Sequence, residues 1–347
     1  ILSGILITCI VSTSILSALP VSAQTTAEGA HIQVAADQKD NTQTTESSTK
    51  EFAINNKKDF SKFMTTPAYW ESNYKIKLNC DISWIFFKKF NPIEDFKGDF
   101  DGGGHTIKYV MLKCFVKNNQ GTISRLNFQK SKLLSSTCGF VGGFAGENKG
   151  KITNCAATGN VKGIHDVGGF VGWNDGTISE CTSEGTVKGG YGVGGFAGGN
   201  QRTITSCTAT GNVNGYSVGG FIGYNCCGTI TNCKAEGIVV GDGCLGGFAG
   251  CNEGKITDCT ATGNVNGYNV GGFVGKNYKN GTITNCIAMG KVTEKSKETS
   301  CYAGGFAGKN KGIITNCTAT GDVNGKKVSL DSFAGENEGK MEDCKIV

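Results

Sequence analysis

The chain has 347 residues, of which 54 are Gly, 17 are Cys and 3 are Pro, with 38% hydrophobic residues, 18% charged ones and a formal net charge of +5. That composition is too apolar for a wholly disordered chain, and the Gly excess comes without the Gly-X-Y period and abundant Pro of collagen. The small positive charge forms no basic stripe with interleaved aromatics, so nucleic acid is not an expected partner, and an odd Cys total in so long a chain must be explained by position.

Residues 1–19 are an apolar run, followed by Pro20 and the small-residue sequence Val21-Ser22-Ala23. A run of this kind closed by an A-x-A type site predicts a signal peptide, residues 1–23, and hence export; an N-terminal membrane anchor is the competing reading, because roughly 18 apolar residues is the lower limit for a span. No initiator Met or basic n-region precedes the run, and the chain stops at Val347 a few residues into a repeat, so both ends are read as truncated. Residues 24–50 shift to Gln, Thr, Ser, Ala and Asp with almost no large apolar side chains, which predicts a disordered tether.

Residues 51–104 carry few repeat features and one short predicted helix near residues 57–64. A stack of repeats leaves unpaired strand edges and an open core at its ends, so this segment is expected to be an N-terminal cap and opening segment. From residue 105 to 347 one unit recurs. The Phe of G-G-F-[VAI]-G-x-N stands at Phe144, Phe170, Phe196, Phe221, Phe248, Phe273 and Phe306, with a degenerate D-S-F-A-G-E-N copy at Phe333, at spacings of 26, 26, 25, 27, 25, 33 and 27. Each is followed by a Gly-rich corner and then I-x-x-C, with Cys at 155, 181, 207, 233, 259, 286, 317 and 344. The Cys position of an earlier coil is taken by Leu126.

By the period of two along a strand, Cys155, Ala157, Gly159 and Val161 share one face, as do Cys207, Ala209, Gly211, Val213 and Cys259, Ala261, Gly263, Val265. The opposite face reads Ala156, Thr158, Asn160 in one unit and Lys234, Glu236, Ile238 in another, which separates a constant inside from a variable outside. The pairs Asn214-Gly215, Asn266-Gly267 and Asn324-Gly325 are expected to form tight turns with positive φ. V-G-G-F-V-G near residues 167–172 is read as a second strand, with Phe favoured inward, and the Ile of G-T-I as a third. Three short strands per unit of about 26 residues predict an all-β, right-handed parallel β-solenoid, in which stacked coils bury one continuous column.

The series G-G-F-V-G-x-N-x-G-T-I-T-N-C-x-A-T-G-x-V resembles the GLUG motif of bacterial surface proteins. Upstream, Leu78-Asn79-Cys80-Asp81-Ile82 and the run from Phe96 to Ile107 resemble the segment that opens such arrays. The resemblance implies a repeat architecture found in adhesin-like proteins and in the non-catalytic part of immunoglobulin-A-cleaving zinc peptidases. Departures are Glu180, Ser206, Asp258 and Asp343 in place of the Asn before Cys, and a charged insertion at residues 293–298.

Several residue sets invite a chemical reading. Eight Cys in a ladder point their sulfurs the same way, which does not suit tetrahedral zinc, and parallel Cβ vectors one coil apart do not suit disulfides; buried free thiols are expected. Cys80, Cys114, Cys138, Cys226, Cys227, Cys244, Cys251 and Cys301 are the better disulfide candidates, and Cys9 lies in the signal segment. The His residues are His31, His105 and His165, with no H-E-x-x-H, and Asp99, Asp101, Asp166 and Asp175 are read as turn formers. The Asn series at Asn148, Asn174, Asn200, Asn225, Asn252, Asn277, Asn310 and Asn337 is expected to form a stacked side-chain ladder, and the Thr pairs Thr208/Thr210, Thr260/Thr262 and Thr318/Thr320 to face outward, interrupted by Lys234/Glu236 and Ile287/Met289. No catalytic, metal or cofactor-binding residue is assigned. The expectation is a monomeric, non-enzymatic protein, secreted or on the cell surface, acting as an adhesin-like stalk or binding surface. Its ligand would be a host protein, a glycan or a neighbouring cell; the alternative is a non-catalytic spacer of a larger surface enzyme such as a metallopeptidase.

Overall fold

The computed structural model describes residues 48–129, 132–133, 139–295, 302–324 and 332–347. The predicted signal segment, the tether up to residue 47, Cys9, Cys138, Cys301, Gly325 and the second half of the charged insertion lie outside the described residues. Within them the chain winds as a parallel β-solenoid whose strands pair one coil apart, Ile152 with Ile178 and Ala156 with Thr182, for example.

Each coil contributes to four sheets, where the sequence suggested three strands. The isoleucine sheet contains Lys151–Thr153, Thr177–Ser179 and their equivalents, with the central Ile inward. The cysteine sheet follows the ladder Cys, as in Ala156–Thr158 and Thr182–Glu184. The valine sheet contains His165–Gly168 and Val187–Gly194, and the asparagine sheet Val171–Asn174 and Ala197–Asn200. The V-G-G-F-V-G run is therefore split between two sheets, because the two Gly make a corner that no side chain could share. A Cβ on Gly168 would lie 2.0 Å from the Val171 carbonyl oxygen, and one on Gly169 would lie 2.2 Å from that of Gly195.

Of the Asn-Gly pairs, the two that are fully described form no tight turn. Asn214-Gly215 and Asn266-Gly267 lie within the strands Val213–Gly219 and Val265–Gly267, and none of these four residues has a positive φ. Gly215 is there for space, since a Cβ would come 2.7 Å from Val193 Cγ2. The left-handed corner falls instead on the residue before each ladder position, with φ of 51° at Asn154, 55° at Glu180, 53° at Ser206 and 54° at Asn232. Asn and Asp tolerate that conformation best, which accounts for their frequency there.

Two apolar columns result. The main one stacks Phe, Ile, Cys and Ala from successive coils, and a second, smaller one is formed by the valine sheet curling over itself, with Val161, Val167, Val187 and Val193 inside. The Phe of the repeat is fully buried, as favoured from the sequence; Val171 beside it is buried as well. From Phe144 to Phe333 the rings lie parallel, with centroids 4.8 to 4.9 Å apart, so the ring spacing equals the coil pitch.

The same parallel pairing runs through the opening segment, where the isoleucine sheet continues back through Asp99–Asp101 and Tyr74–Leu78 to Lys50–Ile54. The helix Lys57–Thr65 starts at Asn56, whose side chain accepts hydrogen bonds from the backbone N–H groups of Lys58 and Asp59. It buries Phe60, Phe63 and Met64, and Phe63 meets Phe100 at 5.3 Å between centroids. The helix thus lays an apolar face on a column that would otherwise open to water.

Candidate functional site

The conspicuous side-chain rows are internal. In the asparagine ladder each Nδ2 donates to the Oδ1 of the next coil, from Asn119 to Asn148 at 2.7 Å, Asn174 to Asn200 at 2.8 Å and Asn310 to Asn337 at 2.8 Å. Each also reaches the corner backbone, as Asn200 does to the Arg202 carbonyl at 3.1 Å. The row begins at Asn119, one coil earlier than the G-G-F motif indicates. The Asn119 Oδ1 is buried without a hydrogen bond among the described residues, because Phe96 occupies the register position before it.

The ladder Cys are buried free thiols from Cys155 to Cys317, with Cys344 half-buried at the end. Each Sγ donates to the carbonyl two residues earlier, as Cys155 does to Thr153 at 3.2 Å, and the later ones accept from the N–H of the preceding ladder Cys, as Cys181 does from Cys155 at 3.4 Å. Burial pushes the thiols of Cys181, Cys259 and Cys286 well above the ordinary range. Of the predicted disulfide candidates, Cys80, Cys114, Cys227, Cys244 and Cys251 carry thiols here. Cys80 donates to the Asn55 carbonyl at 3.1 Å, and burial pushes Cys114 up to about 12.

The titratable groups singled out in the sequence are dispersed. His105 Nδ1 lies 3.3 Å from Asp81, His165 stacks on Tyr191 at 5.7 Å, and His31 lies outside the described residues. Asp101 is held by Arg125, and Asp175 by Arg202 at 3.2 Å. No group of three or more His, Cys, Asp or Glu gathers among the described residues as a metal site would require. On the cysteine sheet the outward column reads Thr208, Lys234, Thr260, Ile287 and Thr318, and Lys234 pairs with Glu236 at 2.6 Å, so the threonine rows are interrupted as expected.

Two exposed features were not singled out in the sequence. Between Ser83 and Lys88 the strand Ile82–Lys89 slips register against its neighbour, and Ile85 and Phe86 project at 89% and 83% exposure. On the valine sheet, His165, Tyr191, Tyr216 and Asp242 occupy one outward register column, and Tyr268 follows the Gly267 that pairs with Gly241. Tyr191 and Tyr216 are 5.0 Å apart between centroids. Beyond Tyr216 the aromatic row is interrupted at Asp242. An open groove of about 470 Å³ runs past it, with Asn214, Tyr216, Asp242, Tyr268 and Lys295 around backbone from Gly189, Gly215 and Gly241. The available signal was a His or Tyr two residues before the V-G-G-F motif, in H-D-V-G-G, Y-G-V-G-G, Y-S-V-G-G and Y-N-V-G-G.

Stacked parallel coils, a constant interior and an exterior that differs from coil to coil define a β-solenoid repeat protein. The model of the GLUG motif matches residues 139–162, 163–188, 189–214, 214–240, 241–266, 266–293 and 299–324, just over half of the chain, and the chain belongs to that family. The degenerate copy at Phe333 falls outside those matches. A solved structure described as "Crystal structure of a putative immunoglobulin A1 protease from Bacteroides ovatus" is similar over 84% of each chain, with 17% identity and a TM-score of 0.40. No curated protein matches the chain.

Proposed function

We propose that this chain is an exported, non-enzymatic stalk or binding surface of adhesin type, displayed on or released from a cell. One contrast carries the reading. The inward residues of the cysteine sheet repeat as Ala209, Ala235, Ala261, Ala288 and Ala319, while the outward ones beside them change among Thr, Lys and Ile. A core that repeats beneath a surface that varies is the arrangement expected of a scaffold that presents contacts, since the chemistry of binding lies in the grafted surface and not in the fold. The partner is a host protein, a glycan or a neighbouring cell, met by a monomer.

Export is tested by fractionating cells that make the full-length product, with the protein expected outside the cytoplasm. Beads coated with the chain are expected to adhere to host or neighbouring cells, whereas beads coated with an unrelated solenoid are not. Hydrolysis of a protein or glycan panel, abolished by a single substitution, would overturn the non-enzymatic reading. A metallopeptidase motif in the reading frame beyond Val347 would make the chain a spacer.

A further inference from the structure

We propose that the interruption in the aromatic row of the valine sheet is a binding slot for one pyranose ring of a glycan, with Tyr216 and Tyr268 as its walls and Asp242 between them. This rests on the adhesive reading and names the ligand class for it. The argument starts from spacing. His165, Tyr191 and Tyr216 stand on successive coils, with ring centroids 5.7 and 5.0 Å apart, so one coil accommodates one ring thickness. Tyr216 has Tyr191 on one side, and on the other side the next coil offers Asp242 instead of a ring. Tyr268 comes one coil further on, so the backbone positions of the two tyrosines are two coil pitches apart, roughly 10 Å along the axis; the Tyr216 ring, tilted by 58° against Tyr191, leans into that interval over Gly243. Aromatic contacts prefer centroid separations of about 4.5–7 Å, so a six-membered ring lying in the groove beside Asp242 packs on the Tyr216 face, with Tyr268 on its far side.

The walls are exposed yet positioned. Tyr216 and Tyr268 are 46% and 41% exposed. Gly243, at φ of 82°, gives the Tyr216 ring room to settle, because a Cβ there would lie 2.9 Å from two of its ring carbons. The floor is backbone from Gly215 and Gly241, so a ligand can approach closely.

The rim selects the ligand. Asp242 offers an acceptor, Lys295 a donor and Asn214 both, and the side chains of Asn214 and Asp242 make no hydrogen bond to another described residue. A flat apolar ring would satisfy the tyrosines and leave these groups facing it without partners. A pyranose has an apolar C–H face for each tyrosine and hydroxyls at its edge for the carboxylate, the amide and the ammonium. The cavity volume of about 470 Å³ admits one sugar with a linked neighbour extending into solvent.

The test is a printed array of oligosaccharides ending in glucose, galactose, mannose, N-acetylglucosamine or sialic acid, probed with the tagged protein and followed by calorimetry on the retained sugar. Retention of at least one terminal sugar is expected. Combined Tyr216→Ala and Tyr268→Ala should weaken it at least tenfold, and Asp242→Tyr, which fills the slot with the residue type of the flanking coils, should abolish it. Lys151→Ser, on the isoleucine sheet, should leave it unchanged. Asp242→Tyr is built to fold even where the alanine variants do not, and circular dichroism checks both. No retained sugar, or undiminished retention by folded Asp242→Tyr, overturns the slot. Cell adhesion that persists in Asp242→Tyr also overturns it while leaving the adhesive reading intact, whereas sugar retention without any cell adhesion sinks the adhesive reading and leaves the slot.

Discussion

Phe196 and Phe221 stack with centroids 4.8 Å apart and planes within 2° of parallel, although 25 residues separate them in the chain. The face-to-face geometry, which isolated rings avoid, is imposed by the pitch of the backbone ladder and by burial on all sides. Truncating one ring removes packing from both neighbours. Phe221→Ala should cost about 3–5 kcal/mol in denaturant unfolding. Phe333→Ala, in a half-buried ring at the end of the stack, should cost clearly less. Equal losses would mean that the stack contributes no more inside than at its end.

Asparagine substitutions should be graded by position. Asn200→Ala removes two ladder bonds, the one from Asn174 and the one to Asn225. Asn119→Ala removes only one ladder bond, the one to Asn148, since the Asn119 Oδ1 has no described partner. With about 1–3 kcal/mol for each buried polar group left unsatisfied, Asn200→Ala should be the more damaging by roughly that amount, read from urea midpoints.

The left-handed corners permit a stabilising change. Glu180 sits at φ of 55°, in a place that Asn occupies in other coils, such as Asn154 and Asn232. Asn adopts that region at lower cost, so Glu180→Asn should raise stability by about 0.5–1 kcal/mol, whereas Asn232→Val should lower it by about 1–2 kcal/mol. A melting-temperature comparison of the two variants checks the sign of each.

Thiol labelling should divide the cysteines by burial. Cys227 is exposed, and Cys155 through Cys317 are enclosed in the main column. Under native conditions at pH 8, iodoacetamide followed by peptide mass analysis should mark Cys227 within minutes and the ladder only after denaturant is added. Prompt native labelling of Cys207 or Cys233 would contradict the closed core.

The last coils should respond to acid. The ammonium groups of Lys309 and Lys311, at 2.7 and 2.6 Å, hold the Glu338 carboxyl down to about 2. A folded value below the unfolded one near 4.5 means that the pairing stabilises fully above about pH 4.5 and is lost as the pH falls toward 2. Hydrogen exchange at residues 334–346 should quicken across that window, and Glu338→Gln should remove the dependence. Glu338 is 44% exposed, so high salt should blunt the effect.

How much of this was legible in the sequence follows from which positions repeat. Phe170, Cys155, Ile152 and Asn174 recur in kind because each fills an interior place defined by the coil before it, and all were read correctly as a core or a ladder. The fourth sheet was hidden because Gly168-Gly169 between apolar residues reads as strand by alternation, while the corner depends on contacts to Gly195 and Val171 that no local pattern contains. Gly215 was taken for a turn residue when Val193, 22 positions earlier, determines it. The slot was missed for the opposite reason. Tyr216, Asp242 and Tyr268 differ from one another, and a search for recurrence passes over the place where a row is interrupted.

The asparagine row has one more consequence, which concerns polarity. Its side-chain amides all donate toward the later coil, so their dipoles add along the stack, negative at Asn119 and positive at Asn337. Two such stacks meeting end to end could satisfy their terminal amides only in a head-to-tail order. The head, however, is sealed, since Phe96 lies against Asn119 and the helix Lys57–Thr65 covers the column beyond it, whereas Asn337 is exposed. The capped end blocks the one order that the dipoles favour, so the fold carries its own barrier to growing into a fibre.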